Sequence, residues 1–184
     1  EIICIQSEYD DAAGAADAVR THPLAMELLD GCEFQRVMRW DAFGLECAAG
    51  IPGERGGFDA ITPLGHANGR IVDLKVTSST EPDELQRHVL RMSWHCQAAW
   101  YLAGAEALGY GELEFYLLCV ESSAPHCVTV LKISQAVLEH GRKQLTLWAE
   151  DLRNCEASNH FPGYVQTIQM MHLPEWMDVE EVTP

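Results

Sequence analysis

The chain has 184 residues, 12 Lys and Arg against 28 Asp and Glu, and a formal net charge of −16. That length suits one well-buried domain, and no apolar run is long enough to cross a bilayer. A balance this acidic counts against a broadly basic nucleic-acid-binding surface, although net charge does not say where the few cations sit. The seven cysteines, at 4, 32, 47, 96, 119, 127 and 155, are odd in number and irregularly spaced, with no C-x-x-C. They read as reduced thiols of a cytoplasmic protein rather than as a disulfide framework or a zinc site. Cys96 and Cys119 fall in apolar periodic stretches and read as core residues. The first residue is Glu and no signal peptide is evident, as expected of a fragment or a processed chain.

Residues 10–29 are Ala-rich, with Ala16, Val19, Leu24, Leu28 and Leu29 broadly on one side, which predicts a helix. Pro23 kinks or restarts it beside His22, and Asp30-Gly31 is a glycine stop. Residues 33–41 alternate loosely and predict one strand, followed by a short strand at 45–48 and a Pro-Gly turn. Residues 55–63 predict a further short strand carrying Asp59. The turn chemistry from Pro63 to Gly69 joins it to the apolar strand at 70–77, so the two are expected to pair as an antiparallel hairpin. Residues 82–108 predict the longest helix, with Pro82 in its first turn and Asp83 and Glu84 favourable to the dipole there. Its predicted buried stripe is Leu85, Val89, Met92, Cys96, Ala99, Ala103 and Ala107. Gln97 and Tyr101, at i and i+4, project together from one face, and Gly109 and Gly111 end the segment. Residues 112–121 and 126–133 predict two strands joined by Ser-Ser-Ala-Pro, and Ser134 caps a helix to about residue 154. A looser tail ends in Leu173-Pro174-Glu175-Trp176. This order implies a single α/β domain with a mixed central sheet flanked by helices.

The chemistry is expected in the strand Arg70-Ile71-Val72-Asp73-Leu74-Lys75-Val76-Thr77. Alternate side chains share a face, so Asp73 and Lys75 lie on one side and Val72, Leu74 and Val76 on the other. By itself, D-x-K also fits a salt bridge on a solvated strand end. Asp59 on the neighbouring strand sharpens the reading. Two converging carboxylates repel unless a cation lies between them, and hard oxygen ligands of this kind suit Mg²⁺ or Mn²⁺. A lysine beside such a cation can orient or help deprotonate a water, which is the equipment of metal-dependent phosphodiester hydrolysis. Other candidates carry plainer readings. His22 beside a proline also fits a helix-capping histidine, Gln97 and Tyr101 the polar edge of a packed helix, and Glu33 an ordinary strand start. His66, His88, His95, His126, His140, His160 and His172 show no ligand spacing.

With these residues in place, the chain resembles the PD-(D/E)XK nuclease superfamily and, within it, the RecE-like (exonuclease VIII) exonucleases. The resemblance runs through Thr21-His22-Pro23-Leu24-Ala25 with Leu28-Leu29, Glu33, Trp40-Asp41 and Phe58-Asp59-Ala60-Ile61. It continues with Ile71 to Thr77, with His95-Cys96-Gln97-Ala98-Ala99-Trp100-Tyr101, with Phe161-Pro162-Gly163-Tyr164 and with Leu173 to Trp176. It implies a restriction-endonuclease-like core in which Asp59 and Asp73 ligate Mg²⁺ or Mn²⁺ and Lys75 is the catalytic lysine. The Leu74 carbonyl and His22 are implied as further metal ligands, and Glu33 matches a common acid of the site. Gln97 and Tyr101 match the Q-x-x-x-Y motif of the RecB-like branch, which helps hold the active site and DNA.

The activity implied is exonucleolytic hydrolysis of double-stranded DNA ends in recombination or repair. The resemblance also implies ring-shaped homotetramers and a single-strand annealing protein as partner, with no membrane. Two departures stand out. Gly56-Gly57-Phe58 precedes Asp59 where the family often has a basic approach, with Arg55 the only cation nearby. The closely spaced C-terminal cysteines of the iron–sulfur branch are absent, so no cluster is expected. Two other classes stay open: a nuclease-fold module that has lost activity and serves in binding or assembly, and a metal-binding α/β protein acting on a small phosphorylated substrate.

Overall fold

Strands that are apolar on both faces belong in the middle of a sheet covered on both sides. A computed structural model of the protein, describing residues 5–50, 57–165 and 167–172, shows where the candidates lie. In chain order it contains α1 (Gln6–Thr21), α2 (Pro23–Leu29), β1 (Glu33–Arg36), β2 (Met38–Ala42), β3 (Leu45–Ala49), β4 (Phe58–Ile61) and β5 (Arg70–Thr77). There follow α3 (Pro82–Arg91), α4 (Trp94–Ala107), β6 (Glu114–Glu121), β7 (Val128–Lys132) and α5 (Gln135–Ser158). Five strands form a mixed sheet in the order β1-β4-β5-β6-β7, and β2 and β3 form a separate hairpin. β5 and β6 are parallel along their whole length, from Arg70↔Glu114 to Thr77↔Glu121, while the other neighbours are antiparallel. The fold is therefore the expected α/β class with a mixed central sheet.

The chain divides into two compact units, Glu1–Ala149 and Glu150–Pro184. The first contains the sheet, the hairpin, α1 to α4 and the start of α5. The second begins within α5 and continues past Ser158 without regular secondary structure among its described residues. Among the described residues no helix is long and apolar enough to cross a membrane.

Strand alternation separates two cores. Ile71 of β5 and Phe115, Leu117 and Cys119 of β6 face Leu85 and Val89 of α3, Ala98, Leu102 and Ala105 of α4, and Trp40 and Cys47 of the hairpin. Val72, Leu118 and Val120 face the other way, onto Ala15 and Val19 of α1 and Ala25 and Leu28 of α2. Arg70, at the start of β5, fastens that second layer. Its guanidinium donates to the carbonyls of Leu28 and Asp30, both at 2.7 Å, and of Glu27 at 3.2 Å. These are carbonyls at the end of α2, where intrahelical donors run out and a cation is favoured.

Three sequence expectations are revised. The segment 82–108 is two helices, broken at Met92 and at Ser93, whose φ is +57°. α4 is buried around much of its circumference (His95, Cys96, Ala98, Ala99, Leu102, Gly104, Ala105), so a single stripe continued from α3 does not describe it. Accordingly Met92 and Ala107 are exposed, and Ala103 is half-buried. The segment 33–41 is two strands in different sheets: Gln35 has φ +52°, β1 stays on the main sheet's edge, and β2 turns away to pair with β3. Phe43 and Gly44, both with positive φ, make the two-residue turn that a right-twisted hairpin prefers. Leu24 is exposed rather than buried, because Pro23 restarts the helix and α2 turns Ala25 and Leu28 inward. The Pro-Gly turn at 52–53, Arg55, Gly56 and Leu173 to Trp176 lie outside the described residues.

Gly104 is where the hairpin seats on α4: a Cβ there would lie 2.7 Å from the Trp40 ring. Gly104→Ala should destabilise the fold by roughly 1–3 kcal/mol through overpacking, a cost that the higher helix propensity of Ala, about 1 kcal/mol, only partly offsets. The check is a lower urea midpoint with an unchanged slope.

Candidate active site

The ladder between β4 and β5 is short: Ala60↔Val72 and Ile61↔Ile71. Where it stops, the next pair in register is Asp59 opposite Asp73. The Asp59 carboxylate replaces the missing rung, its Oδ2 accepting the Leu74 amide at 2.9 Å. Its Oδ1 accepts from Gln35 Nε2 at 3.1 Å. Within a strand, the amide and carbonyl of one residue leave on the same side, so the Leu74 carbonyl faces the gap that Asp59 occupies.

Asp73 points the other way from Leu74, into the core face, and is only 2% exposed. Lys75 Nζ lies 2.6 Å from Asp73 Oδ2, and this ion pair is that buried oxygen's one polar partner among the described residues. The ammonium instead donates to Gln97 Oε1 at 2.8 Å. Gln97 Nε2 reaches Asp73 Oδ1 at 3.3 Å and the Tyr101 hydroxyl at 3.1 Å. The Tyr101 hydroxyl in turn donates to the Gly57 carbonyl at 3.4 Å. This amide orientation gives every group a compatible partner: the oxygen meets a cation and the nitrogen meets acceptors.

Burial pushes the Asp73 carboxyl up, Lys75 pulls it down, and Asp59 pushes it up again, leaving it at about 6. Burial also raises the Tyr101 phenol, against the pull of Gln97 and with the push of Asp73 and Asp59, so it stays a neutral donor. Cys119, beside Lys75 across the β5–β6 ladder, is pushed up to about 12 by burial and by Asp73. It is an inert core thiol.

The structure therefore gathers Asp59, Asp73, Lys75, Gln97 and Tyr101 around the gap at the end of β4. It does not bring Glu33 or His22 into that group. Glu33 pairs with Arg36 at 3.2 Å and stands opposite Ile61. His22 caps α2, its Nδ1 accepting the Ala25 amide at 3.2 Å. Among the described residues no three His, Cys, Asp or Glu side chains lie close enough together to hold a metal ion. Two carboxylates and a backbone carbonyl nevertheless fit Mg²⁺, which keeps several waters and uses one or two protein carboxylates with substrate phosphates. The buried Asp73 Oδ2, whose one partner among the described residues is Lys75, has a lone pair left that such a cation would use.

Two residues of the surroundings were not legible in the sequence. Gln35 reaches Asp59 because the β1–β4 register, set by Glu33↔Ile61, places them opposite each other. Trp94 puts its ring centroid 5.4 Å from Lys75 Nζ, within cation–π range, and it gets there through the helix break at Ser93.

A raised native pKa has a definite sign in stability. Between about 4 and about 6 the unfolded chain ionises Asp73 while the folded chain keeps it protonated, so this group's contribution to stability falls as pH rises through that window and levels off above it. In metal-free buffer at pH 7, Asp73→Asn should equal or exceed the native chain in urea stability by roughly 1–3 kcal/mol, part of the gain being offset by the lost ion pair. The gap should narrow at pH 5.

Comparison with known proteins gives the fold independent support. A solved structure described as a "Putative exonuclease" from Eubacterium rectale superposes with a TM-score of 0.71 at 14% identity, covering 97% of this chain and 68% of that one. The structure of SSO0001 covers 77% of this chain and 69% of its own at 14% identity, but with a TM-score of only 0.34 it carries no argument. No curated protein matches the chain. A family model described as a PDDEXK-like domain of unknown function (DUF3799) matches residues 2–174, and the chain belongs to that family.

Proposed function

We propose that the protein is a Mg²⁺- or Mn²⁺-dependent deoxyribonuclease of the RecE-like kind, an exonuclease that hydrolyses linear double-stranded DNA from its ends in recombination or repair. The observation that carries this reading is the placement of Lys75 Nζ, 2.6 Å from Asp73 Oδ2 and 2.8 Å from Gln97 Oε1, beside a gap faced by Asp59. Membership of a PDDEXK-like family supports it, as does the shared fold with a protein described as a candidate exonuclease.

Asp59, Asp73 and the Leu74 carbonyl are the groups that would hold the cation; the family resemblance suggests His22 as a further ligand and Glu33 as an acid of the site, and neither joins the cluster in this structure. A bound divalent ion supplies Lewis acidity at the phosphoryl oxygen and a lowered pKa for a coordinated water. Asp73 must be ionised to bind it, so binding strengthens as pH rises through about 6. Lys75 is the group placed to orient an attacking water and to offset charge that develops on the phosphoryl group. Gln97 fixes both partners of the ion pair at once, and Tyr101 anchors Gln97. A ring-shaped homotetramer and a single-strand annealing partner belong to the same proposal. A second reading, an inactive nuclease-fold binding module, draws its support from the net charge of −16.

Linear and circular duplex DNA, incubated with and without Mg²⁺, separate these readings. Loss of linear DNA alone is the expected result, cleavage of circles means an endonuclease, and no cleavage favours the binding module. Lys75→Ala should lower kcat by roughly 10²–10³-fold while calorimetric Mn²⁺ affinity at pH 8 stays near that of the native chain. Near-native cleavage by that variant would sink the mechanism.

A further inference from the structure

A chain carrying 28 acidic and 12 basic residues has to meet a polyanion through a local concentration of cations. Two of them, Arg87 and Arg91, stand at i and i+4 on α3 and so share a face. With Thr77, Ser78, Ser79, Glu84 and His88 they line a groove of about 470 Å³ between the end of β5 and α3. Both arginines are exposed, and among the described residues neither lies within ion-pair distance of a carboxylate. Ser79 Oγ accepts the Glu81 amide at 3.3 Å, which leaves its hydroxyl proton free to donate.

The groove lies beside the active site. Thr77 lies two residues beyond Lys75 on the same face of β5. From Lys75 Nζ it is 5.4 Å to the Trp94 ring centroid, and from there 4.8 Å to the ring centroid of His88. His88 Nδ1 lies 2.9 Å from Arg91 Nη2. Because a guanidinium only donates, His88 is the acceptor in this contact, which orients Arg91 and leaves its other N–H groups available.

We infer that this groove takes the sugar–phosphate backbone of the nucleic-acid strand next to the bond that is cut. Arg87 and Arg91 contact its phosphodiesters, Ser78 and Ser79 supply hydroxyl donors, and Trp94 forms the wall between the groove and Lys75. Glu84 is the one acid in the lining and opposes binding. The assignment rests on the nuclease reading for its substrate, and its geometry is separate from the groups that perform the chemistry.

The test is fluorescence anisotropy with a labelled 30-base-pair duplex, ending in either a 5′-phosphate or a 5′-hydroxyl, with Ca²⁺ in place of Mg²⁺. The Arg87→Ala/Arg91→Ala double variant should bind roughly tenfold more weakly near 0.1 M salt, and its log K against log [salt] slope should be shallower by about 1.8, as expected for two lost phosphate contacts. Arg87→Lys/Arg91→Lys should keep the native slope. Glu84→Gln should tighten binding several-fold, a gain that a merely damaged fold does not produce. With Mn²⁺, the double-alanine variant should raise KM for duplex DNA while its rate on bis(p-nitrophenyl) phosphate, too small to reach the groove, stays native. An unchanged affinity and salt slope in that variant overturns the inference. So does a loss confined to 5′-phosphate ends, which would mark a terminal monoester site. Native protein that binds duplex with this arginine dependence yet never cuts it overturns the nuclease reading and leaves the groove standing. Native protein that does not bind duplex overturns both.

Discussion

A carboxylate buried in a protein core is costly unless something charged or hydrogen-bonded meets it, and Asp73 is the group on which this site depends. It is 2% exposed and flanked by Lys75 and Gln97. Burial outweighs the lysine and leaves the carboxyl at about 6. The pair is thus held in place without being fully satisfied: one Asp73 oxygen has the Lys75 ammonium as its one partner among the described residues. A group in that condition favours a divalent ion, whose charge relieves both the burial and the nearby Asp59. The same tension keeps the lysine in place, because its partner cannot be solvated instead.

The arrangement is built by interruptions of regular structure. The β4–β5 ladder ends one rung early, and Asp59 takes over the Leu74 amide that a partner strand would have used. The long helical segment breaks at Ser93, so α3 and α4 do different jobs. α3 buries Leu85 and Val89 and presents Arg87 and Arg91 outward, while α4 is enclosed on several sides and sends Gln97 and Tyr101 to the ion pair. An unbroken helix would tie the phase of Gln97 to that of Leu85. Local departures from ideal geometry commonly collect where function is, and here they set the direction of each polar side chain.

The acidic surface and the nuclease-like fold are reconciled by scale. Net charge governs long-range attraction, which salt screens beyond about 8–10 Å, whereas a strand lying in a groove meets only the groups that line it. Arg87, Arg91, Ser78 and Ser79 line one groove, and Lys75 lies beyond the Trp94 ring next to it, in a chain whose net charge is otherwise repulsive to a polyanion. A chain this acidic offers a polyanion little electrostatic steering, so the proposed binding depends on contact.

Local chemistry carried much of the fold and the centre of the candidate site. Turn residues between Pro63 and Gly69 specified the β4–β5 hairpin, Pro82 and the acids after it specified the start of α3, and alternation put Asp73 and Lys75 on one face. The i, i+4 spacing likewise placed Tyr101 against Gln97. Those inferences hold because they depend on contacts within a few residues or on one tight turn. What the sequence could not decide was whatever depends on partners distant along the chain. The split of 33–41 between two sheets follows from where β3 lies, and the rotation that exposes Leu24 follows from how α2 meets the sheet. Gln35 meeting Asp59, and Trp94 standing between Lys75 and the α3 arginines, are set by strand register and by a single left-handed residue at 93. Residue types and short-range periodicity name the candidate groups. Only the packed sheet and helices decide which of them share one small volume, because that is a property of tertiary contacts.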